Sequence, residues 1–136
     1  MKACMFCGMA IVLGYAAMPV WAHHSFAAEY DSSKTVSLTG QVTKVEWMNP
    51  HARFYMDVKD DAGKVTNWEF ELGSPNGLMR RGWTRNSLKE GDVITVSGSM
   101  AKDGSKLANA RTIKLSNGKE VFAGSANETG DPKAGQ

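Results

Sequence analysis

The sequence predicts an all-β domain with one short helix, and three observations carry that prediction. Between residues 36 and 123 the apolar residues recur mostly at every second position, the period of a strand. Turn signals punctuate the run at Asn49-Pro50, Asp60-Asp61-Ala62-Gly63, Asp103-Gly104 and Asn117-Gly118. One helix-forming stretch, Ser74 to Arg81, falls between the third and fourth strand candidates. Strand, strand, strand, short helix, strand, strand is the order of a five- to six-stranded OB-fold-like Greek-key barrel. An open antiparallel sheet carrying one helix is the alternative.

The first 22 residues read as a secretory signal. Lys2 is the positive start, Ala10 to Ala17 forms most of an apolar run, and Val20-Trp21-Ala22 ends on the small residue that cleavage needs. Glycines and Pro19 interrupt the run, which is short for a bilayer span. The expected location is therefore periplasmic, with nothing spanning the membrane after cleavage. Both cysteines, Cys4 and Cys7, lie in this segment. The chain from His23 onward has none, which excludes a disulfide framework and a thiolate metal site. The full chain carries a net charge of +2, with both signs interspersed. No basic stripe suits a phosphate backbone, so no nucleic-acid partner is expected.

Residues 23–35 read as a lead-in, with Phe26 and Tyr30 four apart and Asp31-Ser32-Ser33 as a turn. The barrel is assigned to residues 36–124. In the first strand Val36, Leu38, Gly40 and Val42 share one parity, whereas Val45 and Trp47 fall on the other. A strand that changes faces needs a bulge or a strong bend, and this is why the barrel is preferred over the open sheet. In the second strand Ala52, Phe54, Met56 and Val58 face inward; His51, Arg53, Tyr55 and Asp57 face outward. The third strand turns Trp68, Phe70 and Leu72 inward and Asn67, Glu69 and Glu71 outward.

Ser74 suits a helix N-cap, Pro75 the first helical turn and Gly82 the helix stop, with Leu78 and Met79 reaching the barrel and Trp83 closing its bottom. Ile94 and Val96 have core parity in the fourth strand, and a fifth strand runs from about Ala108 to Leu115. Asn117-Gly118 then turns the chain back through Glu120 to Ala123. Residues 125–136 lack periodicity and read as a disordered tail.

The phrases HHSFAAEYD, LTGQVTKVEWMNPHARFYMDVKD, WEFELGSPNGLMRRGWTRNSLKEGD and AKDGSKLANARTIKL resemble a family of small exported bacterial proteins known only as a domain of unknown function. The resemblance covers nearly all of the chain after residue 22. It implies export and a small β-rich domain, and it brings no activity.

No catalytic constellation stands out, and no enzyme is expected. Ser25, Ser74 and Ser87 have no placeable His-Asp partner. Glu69 and Glu71 share a strand face about 7 Å apart by strand rise, which reads as a solvated face rather than a cleft pair. Two binding readings remain. In the first, cleavage after Ala22 makes His23 the N-terminus, where its amine and imidazole chelate copper and His24 or His51 adds a third nitrogen. A His-His start that binds nothing is the plainer alternative. Trp47, Met48, His51 and Met56 also give a likeness in ligand type to OB-fold copper carriers of efflux systems, but parity sends Met56 into the core. In the second reading, Arg53, Tyr55, Asn67 and Glu69 on the outer face of strands two and three dock an exported protein or a small polar ligand without metal. A monomer is expected in either case.

Overall fold

A computed structural model describes residues 26–124, and the expectations for the signal segment, for His23 and His24 and for the 125–136 tail lie outside those residues. A short helix, α1 (Phe26–Glu29), leads into β1 (Tyr30–Glu46), followed by β2 (Arg53–Lys59) and β3 (Val65–Glu71). Helix α2 (Pro75–Arg80) precedes β4 (Val93–Ala101), β5 (Leu107–Lys114) and β6 (Glu120–Phe122). The strands follow the order β3-β2-β1-β4-β5-β6, and a parallel β3–β5 pairing closes the sheet on itself. This is the connectivity of an OB-fold-like barrel, with α2 between β3 and β4.

The long first strand serves both sides of the barrel because it bends at two places. Val42 pairs with Met56 and Lys44 with Tyr55, so Thr43 is the extra residue of a bulge. That bulge is the physical form of the parity change between Val42 and Val45. At Gly40 the β2 backbone passes so close that a Cβ would overlap the Asp57 carbonyl oxygen, so only glycine fits.

The second irregularity departs from expectation. Asp31-Ser32-Ser33 does not end a lead-in; it bulges within β1, whose pairing with β4 already begins at Tyr30↔Ala101. The turn chemistry is present, since the Asp31 carboxylate accepts from the Ser33 amide at 3.0 Å and its hydroxyl at 2.6 Å. The end of β4 offers Met100 and Ala101 as partners, so the chain loops out for three residues and rejoins the ladder.

Phe54, Met56, Phe70, Leu72, Leu78, Ile94, Val96 and Ile113 fill the barrel, essentially without exposure. Phe70 stacks between Phe54 (ring centroids 5.0 Å apart) and Trp68 (6.1 Å). Leu38 is only partly buried, packed against the edge of that core. Ser74 caps α2 by accepting from the Gly77 amide at 3.1 Å. Leu78 is buried but Met79 points to solvent, since a helix of six residues presents one narrow face. Trp83 closes the barrel end and donates its indole N–H to the Phe122 carbonyl at 2.9 Å.

Candidate functional site

The polar residues of β2 and β3 meet on the outside of the barrel in an order set by the hairpin register. Arg53 lies opposite Glu71, Tyr55 opposite Glu69, and Asp57 opposite Asn67. Opposed charges in cross-strand positions attract, and here they bond directly. The Arg53 guanidinium bridges Glu69 through Nη1 and Glu71 through Nη2, the latter at 3.2 Å. Tyr55 donates to Glu46 at 3.5 Å beneath the Lys44 ammonium, which sits 5.3 Å from its ring centre and is itself paired with Glu46. Asn67 donates to Asp57 at 2.7 Å and to the bulge residue Thr43 at 3.2 Å. The four residues assigned to a docking face therefore share one face, and each is bonded to a neighbour on it.

Glu71 departs most from the outward, solvated position that strand parity assigns it. It is on the outer face, yet only 6% exposed. The cover comes from the start of β1: Tyr30, 2% exposed, donates its hydroxyl to Glu71 Oε2 at 3.1 Å. Phe26 stacks on Tyr30 with centroids 5.5 Å apart, and Lys102 holds α1 through the Ala27 and Glu29 carbonyls. Burial, and then the Glu71 charge beside it, push the Tyr30 hydroxyl far above the usual tyrosine range, so it stays a donor.

His51 completes the cluster. It stands in the β1–β2 corner after the cis Asn49–Pro50 bond, and its Nδ1 lies 2.8 Å from Glu71 Oε1. A carboxylate can only accept, so Nδ1 carries the hydrogen, and in the neutral ring the lone pair is then on Nε2. The side chain is 37% exposed. One carboxylate thus holds three donors, from Tyr30, His51 and Arg53, which is the satisfaction a buried charge requires.

Among the described residues no three His, Cys, Asp or Glu side chains converge to hold a metal. Met56 is fully buried in the core, and Met48 is exposed in the β1–β2 corner. Tyr30 and Glu71 are the site members that sequence reasoning missed. The register of the 60–63 turn was the available signal for Glu71, because counting back from it sets Arg53 opposite. Nothing local marked Tyr30.

No curated protein matches the chain. Among solved structures the fold is similar to the mitochondrial single-stranded DNA binding protein of S. cerevisiae, at 13% identity and a TM-score of 0.47, over 60% of this chain and 93% of that one. The model of a family of unknown function, DUF6152, matches residues 11–110, most of the sequence and all of the barrel up to the middle of β5. The chain therefore belongs to the family of unknown function DUF6152.

Proposed function

We propose that the protein is a small exported, non-enzymatic binding module that holds one Cu(II) through the amine and imidazole of His23 at its mature N-terminus, with His51, or else His24, as the third nitrogen. The observation that carries this reading is the buried Glu71 carboxylate on His51 Nδ1. A carboxylate behind a histidine fixes the tautomer, aims Nε2 outward and raises its basicity, the usual support of a metal-ligating imidazole. Chain geometry supports it as well. Tyr30 reaches the other oxygen of the same carboxylate, so the N-terminal segment passes beside His51. The three residues from Phe26 back to His23 span at most about 10 Å when extended, so the reading requires that distance or less from Phe26 to the copper. An N-terminal amine and imidazole plus a further imidazole form a nitrogen set that favours Cu(II).

The metal-free docking reading for Arg53, Tyr55, Asn67 and Glu69 has less support, since a partner must displace their mutual bonds. The deciding experiment is Cu(II) titration followed by EPR on the exported protein, after mass spectrometry has established its first residue. One equivalent bound through nitrogen is expected, weakening as pH falls through the range in which amine (reference pKa about 8) and imidazoles charge. Placing one alanine ahead of His23 separates the amine from its imidazole, and His51→Ala removes the supported ligand. Each should weaken binding. Equal affinity in all three proteins sinks the copper site and leaves a binding module without metal.

A further inference from the structure

Among the described residues Glu71 shares its burial with one other strongly polar side chain, Asn109, which is 3% exposed. The two are neighbours by register, because Glu71 pairs with Asn109 along the parallel β3–β5 seam. On its other side Asn109 pairs with Ser99 of β4. Paired residues of adjacent strands put their side chains on the same face of a sheet, so all three stand on the outer face. The Asn109 Oδ1 is sealed from solvent, and among the described residues no donor reaches it. A buried acceptor without a donor is costly, and folded chains meet it with a neighbouring group or with an ordered water.

Glu71 has the matching shortage. A carboxylate offers about four lone-pair sites. Tyr30 and Arg53 take two of them on Oε2, and His51 takes one on Oε1, so Oε1 keeps one. Asn109 Oδ1 and Glu71 Oε1 cannot bond to each other, since both only accept. One small molecule with two donors meets both needs, and water is the smallest. Adjacent strands are about 4.8 Å apart, and two O–H···O bonds of about 2.8 Å meeting at one water oxygen span such a gap. That oxygen can in turn accept from the Ser99 hydroxyl, which gives the water about three polar partners, the usual number for a buried one.

We propose that a single water is a built-in member of the Glu71 cluster, bound between Asn109 Oδ1 and Glu71 Oε1. The site does not depend on copper. It does make Asn109 a positioning residue for His51, because the water and the His51 ring share one carboxylate oxygen. The test uses the metal-free full chain, so it stands whether or not copper binds. Water-selective NOE and ROE spectra should show a long-lived water beside the Asn109 side-chain amide. Asn109→Leu, close in size but without an acceptor, should abolish that signal, shift the His51 Nδ1–H resonance and lower the urea midpoint. No long-lived water in the unaltered protein overturns the proposal, and this measurement decides alone if Asn109→Leu does not fold. A raised midpoint in Asn109→Leu also overturns it, because relief of a dry orphan oxygen by apolar packing has that sign. Loss of the water signal with an unmoved His51 resonance places the water away from Oε1 and overturns the bridge. A scalar coupling from the Asn109 amide directly to the Glu71 carboxyl carbon overturns it as well, since the two side chains would then bond without water.

Discussion

Removing the Glu71 carboxylate tests the cluster directly. Glu71 is nearly sealed from water, and three donors end on it: the Tyr30 hydroxyl, the Arg53 guanidinium and the His51 ring. The consequences differ by partner. Arg53 keeps Glu69, and His51 is exposed enough to bond water instead. Tyr30 is not, and its orphaned hydroxyl carries a desolvation cost of about 1–3 kcal/mol. Adding the lost charge-assisted bonds places Glu71→Ala at about 3–5 kcal/mol, the range for breaking a buried pair from one side. Glu71→Gln keeps an acceptor oxygen for Tyr30 and leaves no cavity, so about 1–2 kcal/mol is expected. Urea unfolding read by tryptophan fluorescence and far-ultraviolet dichroism gives both values, provided the two probes coincide. A double-mutant cycle with Tyr30→Phe isolates the hydroxyl–carboxylate bond. A loss below about 1 kcal/mol for Glu71→Ala refutes the argument, because no buried carboxylate with three donors can be removed so cheaply.

Two further outcomes follow from the packing and from Tyr30. Phe70→Ala should cost about 3–5 kcal/mol in the same denaturant assay, since Phe70 is sealed between Phe54 and Trp68, while Leu38→Ala, on a partly buried position, should cost clearly less. The Tyr30 hydroxyl has its pKa raised in the folded chain above the usual 10.0, so its contribution is complete below that pH and is lost as pH rises beyond it. Stability measured from pH 9 upward should therefore fall, and Tyr30→Phe should flatten that part of the fall; an unchanged slope in Tyr30→Phe would show that the hydroxyl is not sealed against Glu71.

The barrel was legible because alternation, turn residues and the parity change in β1 all report backbone geometry that each segment carries locally. Val42 and Val45 stand on opposite parities, and Thr43 bulges between them. Trp68, Phe70 and Leu72 alternate, and all three are buried. The candidate site was legible only as far as one hairpin. Arg53, Tyr55, Asn67 and Glu69 share a face because strand period dictates it. Alternation, however, says which side of a sheet a residue faces, not whether another segment later covers that side. Glu71 is at the end of β3, beside the parallel seam with β5, and the cover is Tyr30, 41 positions earlier in the chain. Asp31-Ser32-Ser33 hid that connection, since it carries true turn chemistry yet only bulges a continuing strand.

The same covering gives His51 its significance. On an open sheet Glu69 and Glu71 would be equivalent solvated carboxylates, and a histidine beside them would bond to either or to water. Tyr30 and Arg53 remove that freedom. They bury one carboxylate, occupy its Oε2 and leave Oε1 for a single ring nitrogen, Nδ1 of His51. A histidine whose tautomer is set by a buried, fully bonded carboxylate is prepared to offer Nε2 outward in a fixed direction. Glu71→Gln then separates a structural from a binding role for the cluster. If Glu71 serves only to hold the lead-in, the substitution lowers stability and leaves Cu(II) affinity unchanged. If it orients His51 for metal, affinity should fall about 10- to 100-fold, the usual loss when such a support is removed. The comparison is made at a temperature where both proteins are fully folded, and an unchanged affinity there rules out the orienting role.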